Sequence, residues 1–401
     1  MAQTLPPFAA RMDQVRPSAI RDLLALGADP SIISFGGGYP DATLFPRDLL
    51  QGVFRDALAD PSGDPLQYAP SDGLPKLRAQ IAALMTADGT PTRPDEVLIL
   101  QGSQQGLDFA AKMIINPGET ILVEDPTFLG ALIAFAPSQP RYAAIPMDAD
   151  GMDTDALADT LARTPSARLL YTVPDFQNPT GATLSLPRRH HLIDLANRHD
   201  LIVLEDTPYR HIRFAGDALP TLKSLDTQGR VIHLGSFSKI LVPALRLGWA
   251  VAAPPLLEKL ALLKVAADTQ TSTLNMAAAA LFLDRHDLWA HVATLRSAYR
   301  HKKDVMLDAI RQHFPQEVTV TDPQGGLFTW ARFPQGFDAT AFMRDHALPE
   351  ARVAYVPGGT FFATDPQPNH ARINFSAPSE DRIRQGIAAL GRCLKDHMPC
   401  P

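Results

Sequence analysis

Ser236-Phe237-Ser238-Lys239 and, seven residues on, Arg246 bring two hydroxyls, an amine and a guanidinium into one short segment directly behind the apolar run Val231 to Gly235. An amine forms a Schiff base with a carbonyl carbon when its surroundings favour the unprotonated form. Hydroxyls beside a guanidinium hydrogen-bond a phosphate. The segment therefore has the chemistry to hold one small molecule that carries both an aldehyde and a phosphate. Alone, Lys239 would be another solvated surface lysine, the usual state of that residue; the polar clusters upstream decide between the two.

Those clusters share a position, because each follows a run with the character of a buried strand. In an open parallel sheet ligands sit beyond the carboxyl ends of the strands, where loops and helix N-termini collect. After Gln101, Gly102-Ser103-Gln104-Gln105-Gly106 opens a helix whose free amides and Ser103 hydroxyl suit a phosphate, although such residues also simply cap helices. After Val123, Glu124-Asp125-Pro126-Thr127-Phe128 can lay the Phe128 ring over a flat cofactor or merely pack it. After Val173, a proline-set turn presents Asn178, whose amide can donate to a phenolate oxygen. The run Leu201 to Glu205 ends in Asp206-Thr207-Pro208-Tyr209, and a carboxylate at a strand's buried end is costly unless it meets a cation or caps the next turn. A protonated pyridine nitrogen is such a cation; held by Asp206, the ring becomes an electron sink, with Tyr209 touching the same phenolic oxygen as Asn178. Aldehyde, phosphate, pyridine and phenol together describe pyridoxal 5'-phosphate.

The elements that position these groups are legible as well. Val97 to Gln101, Thr120 to Val123, Leu169 to Val173, Leu201 to Glu205, Val231 to Gly235 and Leu247 to Ala252 read as strands buried on both faces. Ser103 to Ile115 and Leu186 to His199 have helical apolar spacing between them. This alternation predicts an α/β fold, with a large domain over residues 46–284 built on a mainly parallel sheet flanked by helices. Residues 285–401 open with a long helix, followed by strands at Val318 to Val320, Leu327 to Trp330, Val353 to Val356 and Arg372 to Phe375, then a terminal helix. They read as a smaller α+β domain. Residues 1–45 hold a helix near Ser18 to Leu26 and a Gly36-Gly37-Gly38 turn, too little to fold alone, and are expected to join the small domain.

Composition bounds the function. The 401 residues are 45% hydrophobic and 20% charged with net charge -6 and no long basic run, which excludes an electrostatic footprint for nucleic acid or an anionic membrane. No apolar run approaches the ~20 residues of a membrane span, and no secretory signal is read at the start, so a cytoplasmic protein is expected. The two cysteines, Cys393 and Cys400, form no CxxC pair, and no His/Cys cluster has metal-ligand spacing in the sequence; neither disulfide nor metal is expected.

With these residues the chain resembles the class I aminotransferases of the aspartate aminotransferase fold, in the branch of the α-aminoadipate and kynurenine enzymes. The resemblance rests on Ser236-Phe-Ser-Lys239 with Arg246-Leu-Gly, on Asn178-Pro-Thr-Gly181 and on Asp206-Thr-Pro-Tyr209. It implies a seven-stranded large-domain sheet and transamination between an L-amino acid of 2-aminoadipate, aromatic or branched aliphatic type and a 2-oxo acid such as 2-oxoglutarate. Lys239 would carry the cofactor as a Schiff base and move the proton. Ser103, Gln104, Ser236, Ser238 and Arg246 would hold the phosphate. Arg372, in Ala371-Arg-Ile-Asn-Phe-Ser376, matches the arginine that takes the substrate carboxylate, with Asn178 and Gly38 beside it. Tyr68 looks like the tyrosine that reaches the phosphate of a neighbouring subunit, which implies a homodimer with shared active sites. Arg21 resembles a mobile arginine for a second substrate carboxylate and equally reads as a solvated helix charge. Phe128 departs from the pattern, since relatives often carry tyrosine there. Two rivals share the residues: a pyridoxal-phosphate carbon-sulfur lyase, because the cofactor residues fix a carbanion but not its fate, and the sensing half of a transcription regulator, disfavoured by the lack of a basic recognition helix before Gly36.

Overall fold

The computed structural model describes residues 7–15 and 29–398; Arg21 and the helix expected near it lie outside these. The strands, in chain order, are β1 (Ile33–Ser34), β2 (Val97–Leu100), β3 (Thr120–Asp125), β4 (Arg141–Asp148), β5 (Gly151–Met152), β6 (Leu169–Thr172), β7 (Ile202–Asp206), β8 (Val231–Ser236), β9 (Gly248–Val251), β10 (Thr319–Val320), β11 (Phe328–Arg332), β12 (Val353–Ala354), β13 (Val356–Pro357) and β14 (His370–Asn374).

One large sheet runs β2-β9-β8-β7-β6-β3-β4-β5. Its centre is parallel, whereas β9 is antiparallel to both β2 and β8. The six expected strands are all present. β4 completes the seven implied by the resemblance, and the two-residue β5 hooks on as an eighth. β4 escapes a sequence reading because Arg141-Tyr-Ala-Ala-Ile-Pro-Met-Asp148 carries a proline and polar ends, the pattern of a strand near the edge rather than one buried on both faces.

Helices cover the sheet for the reasons their sequences suggest. In Ser103–Ile114, Leu107, Ala110 and Ala111 are buried on one face, and Gly106 lets the helix lie close: a Cβ there would come within 2.6 Å of Leu234 on β8. The helix Leu186–Arg198 starts with Pro187 in its first turn, where the missing N–H costs nothing.

The second sheet, β10-β11-β14-β13, is antiparallel, and β1 pairs in parallel with β12. Phe328 opposes Asn374 and Trp330 opposes Arg372, so these side chains share one face of that sheet. The terminal helix Glu380–His397 is capped by Ser379, has acidic residues in its first turn and basic ones in its last, and packs on the long helix Leu288–His313. Residues 36–38 form no turn. They run on from β1, and none of the three glycines has a positive φ; Gly38 is the one that needs room beside the site, since a Cβ on it would lie 3.2 Å from the Phe328 ring.

Beneath the Asn178 loop lies an ion cluster centred on the fully buried Asp175. Asp175 accepts from Arg189 Nη2 at 2.9 Å, Arg213 Nη2 at 3.0 Å and Arg210 Nη1 at 3.1 Å, and Arg210 also reaches Asp88 at 2.5 Å. Burial pushes the Asp175 carboxyl up, but the three guanidinia outweigh it and hold the group below the ordinary carboxylate value. Arg213 further stacks 4.5 Å above Phe176, whose φ of 53° is the strained left-handed one. Asp175→Asn should therefore cost about 3–5 kcal/mol of unfolding free energy, because guanidinia stay buried without their counter-ion. Urea unfolding measures it; a loss below about 1 kcal/mol would show that the cluster is relaxed by solvent.

Candidate active site

At the carboxyl ends of β6, β7 and β8 a cavity of about 230 Å³ opens between the two sheets. It is lined by Gly38, Ser103, Gln104, Phe128, Asn178, Asp206, Tyr209, Ser236, Ser238, Lys239, Arg246 and Arg372, twelve of the candidates, together with Val173, Pro208 and Phe328. Tyr68 is not among them: it is 82% exposed in a separate groove with Gln270 and Ser272.

Lys239 follows β8 and donates from Nζ to the carbonyl of Gly38 at 2.8 Å. Burial first, then the positive Arg372 and Arg246, bring its ammonium down to about 8, so a neutral amine is accessible near physiological pH.

Asp206 ends β7 and is buried. Tyr171 on β6 donates to its Oδ2 at 3.1 Å, while Oδ1 has no partner. The register explains the contact. Tyr171 opposes Leu204, so Tyr171, Leu204 and Asp206 share a face of the sheet. Burial pushes the Asp206 carboxyl up to about 7, against the Tyr171 hydrogen bond. A second buried carboxylate, Glu124, is likewise pushed up to about 7 by burial; it accepts from Thr172 Oγ1 at 2.6 Å and Gln177 Nε2 at 3.0 Å.

Across the cavity, Arg372 on β14 is buried and has no carboxylate partner among the described residues. Its Nη1 donates to Asn178 Oδ1 at 2.9 Å and its Nη2 to Gly36 O at 2.8 Å, while Nε is unpartnered. The guanidinium lies 4.2 Å from the Phe328 ring centroid and 5.1 Å from that of Phe361. Burial brings it down to about 10. Because Arg372 claims the Asn178 oxygen, the Asn178 Nδ2 faces Tyr209, at 3.3 Å from its hydroxyl.

The third corner gathers donors. The amides of Ser103 and Gln104, which open the helix Ser103–Ile114, have no intrahelical acceptor. Gly102 precedes them with φ 74°, a conformation that favours glycine, and its missing Cβ leaves room for Arg246 Nη2, which would lie 2.7 Å from one. The exposed Arg246 makes only long contacts, 3.4 Å to Pro243 O and to Gln101 O. Ser236 Oγ accepts from Ser238 N at 3.1 Å. The Gln104 side chain turns away and donates to Gly130 O at 2.6 Å, leaving its backbone amide to the cavity. Phe128 is half-buried on the cavity wall.

The sequence reading passes over Tyr171 and Phe328, which touch Asp206 and Arg372, and Glu124, which holds Val173 N and Gln177 beside the cavity. A tyrosine inside the otherwise apolar Leu-Leu-Tyr-Thr strand, and an acid ending the apolar run of β3, were the available signals.

The model of the family described as "Aminotransferase class I and II" matches residues 47–390. The chain is 36% identical over 396 residues to aromatic-amino-acid aminotransferase 1 of Thermococcus litoralis, covering 98% of this chain and 94% of that one. Kynurenine aminotransferase of Pyrococcus horikoshii, solved in complex with PMP, superposes with TM-score 0.93 at 36% identity over 98% of both chains. α-Aminoadipate aminotransferase of Thermus thermophilus, complexed with N-(5'-phosphopyridoxyl)-L-leucine, does so with TM-score 0.90 at 37% identity over 97% of both.

The raised Asp206 carboxyl sets a pH dependence. A folded-state value of about 7 favours the protonated folded form, so this contribution is complete below the unfolded value near about 3.9 and is lost as pH rises through about 7. Cofactor-free protein should lose stability on the order of a few kcal/mol from this group over that window. Asp206→Asn should flatten the slope, leaving the share due to Glu124. Urea unfolding from about pH 5 to about pH 8 checks this; equal slopes in both proteins would remove Asp206 as the cause.

Proposed function

The chain belongs to the class I and II aminotransferases and catalyses pyridoxal-phosphate-dependent transamination, and we propose that its donors are 2-aminoadipate, aromatic and branched aliphatic amino acids with 2-oxoglutarate as acceptor. The observation that carries the reading is Arg372: a buried guanidinium without a counter-ion among the described residues, in the same cavity as an amine pushed down to about 8. Such a guanidinium is complementary to a carboxylate, which it grips through two parallel hydrogen bonds. The substrate range is supported by the relatives, which are named for aromatic amino acids and for α-aminoadipate, the latter with a leucine adduct.

The residues fit the cofactor at each of its polar groups. The unpartnered Oδ1 of Asp206 suits a protonated ring nitrogen, and the cost of its burial is met when that cation arrives. Asn178 Nδ2 and the Tyr209 hydroxyl suit the phenolic oxygen. The free amides at Ser103 and Gln104, the hydroxyls of Ser236 and Ser238, and loosely held Arg246 suit the phosphate. Phe128 suits the ring face. When bound, the cofactor supplies an aldehyde for the amino group and a protonated ring that takes up electrons from the substrate's α-carbon. Arg372 orients the substrate by its carboxylate, so that the α-hydrogen faces Lys239. Lys239 Nζ, when not joined to the aldehyde, would take that proton as general base, for which a value near 8 is suited. Tyr171 favours the ionised form of Asp206 against its burial, and Asn178 couples the carboxylate grip of Arg372 to the phenolic oxygen.

We further propose a cytoplasmic homodimer in which the exposed hydroxyl of the partner subunit's Tyr68 completes the phosphate site. Among the described residues no helix is long and apolar enough to cross a membrane.

Two experiments test these assignments. A panel of amino acids mixed with the holoenzyme should bleach the cofactor's visible band for the named donors, and Lys239→Ala should abolish the response. In Arg372→Gln, kcat/KM for α-amino acids should fall about 100-fold, as expected for losing charge-assisted hydrogen bonds, while an alkylamine lacking the carboxylate reacts nearly as before. Equal losses for both donors would overturn the role. For the shared site, Lys239→Ala and Tyr68→Ala subunits, each impaired alone, should regain activity when unfolded and refolded together, since one site of the mixed dimer is intact; no recovery in a confirmed heterodimer would rule it out.

A further inference from the structure

Three side chains able to ligate metals converge away from the cofactor cavity, where the terminal helix meets the segment that leads into β12. His346 sits in the π-helical turn Met343–Ala347, Glu350 follows four residues later, and His397 ends the helix Glu380–His397. His346 Nδ1 lies 2.9 Å from Glu350 Oε1, and His397 Nε2 lies 2.8 Å from Glu350 Oε2. The two imidazoles are stacked, with centroids 3.8 Å apart and planes inclined by 20°. One ligand atom from each of the three residues falls within 4.8 Å of the others. The wide turn has a structural reason: Leu348 N bonds back to Met343 O at 3.0 Å across five residues, and Glu350 N to His346 O at 2.9 Å, which sets His346 and Glu350 on one side.

We propose that His346, Glu350 and His397 bind a divalent first-row transition ion, zinc above all, which clips the end of the terminal helix to the segment ahead of β12. Two imidazole nitrogens and a carboxylate oxygen are a donor set that zinc takes with a fourth position left to water. Bonds of about 2.0–2.1 Å in a tetrahedron put donors about 3.3 Å apart; the two histidines, now on separate oxygens of Glu350, open from it by about half an ångström, and the stacked rings turn out of parallel so that both in-plane lone pairs meet the ion. Rotation of these partly exposed side chains supplies that. Each ring nitrogen presents its lone pair once the proton resides on the other nitrogen. Cys393, one helical turn before His397, is buried and outside the converging group. It is therefore not a ligand.

The test uses holoenzyme dialysed against a chelator and then titrated with zinc chloride alone. Expected are one retained zinc per chain after gel filtration and an upward shift in melting temperature of roughly 2–4 °C. Both should vanish in His346→Ala and His397→Ala, and Glu350→Gln should weaken binding about tenfold or more. Transaminase activity should stay unchanged in these variants and serves as the check of folding. Cobalt substituted in the wild type should give tetrahedral ligand-field bands without a thiolate charge-transfer band. Failure of the wild type to retain zinc, or zinc affinity in both histidine variants equal to that of the wild type, would overturn the site and leave a hydrogen-bonded surface cluster.

Discussion

Two buried charges of opposite sign, Asp206 and Arg372, face one cavity, and neither has a counter-ion within the described chain. Leaving an ion uncompensated in a low-dielectric interior costs several kcal/mol, so a fold under no other demand would bring the two together. Here Asp206 ends β7 of the large sheet and Arg372 lies midway along β14 of the small one, and the two are kept apart. Each receives partial compensation: a phenol for Asp206; for Arg372, an amide oxygen, a carbonyl and two aromatic faces. The site is thus held in readiness for a ligand that is cationic at one end and anionic at the other, and the instability of the empty state becomes binding energy.

Holding charges apart requires a stiff frame, and the loop carrying Asn178 shows how one is made. On one side, Asp175 ties it to three arginines from other elements. On the other, Gln177 donates to Glu124 and to Pro126 O, and its own oxygen accepts from Thr180. Asn178 between these anchors has little freedom, so its amide keeps one orientation and can transmit the position of Arg372 to Tyr209.

Much of this was legible in the sequence because strands buried on both faces announce themselves, and the polar residues after them fall on the ligand-binding edge without further information. Lys239, Asp206, Asn178, Tyr209 and Arg246 were found in that way and do line one cavity. Arg372 came only from the family pattern, since nothing in its local sequence says that the arginine lacks an acid. What stayed hidden depends on pairings distant along the chain. Tyr171 reaches Asp206 only through the register of β6 on β7; Phe328 reaches Arg372 only through β11 on β14. The glycines at 36–38 suggested a bend, whereas proximity to the Phe328 ring explains Gly38 better than backbone freedom does. His346 and His397 lie 51 positions apart, too far for any spacing rule for metal ligands to join them.

The extended strap from Gly36 to Gly38 has two loads. Its first carbonyl is held by Arg372 Nη2 and its last by Lys239 Nζ, each at 2.8 Å, while just upstream Phe35 is bonded into both β12 and β14. Anything that draws the guanidinium away from Gly36 pulls on the same cord that holds the amine at Gly38. With nothing bound, the positions of the two cations are thus set by three residues of extended backbone fixed at both ends, rather than by each side chain alone.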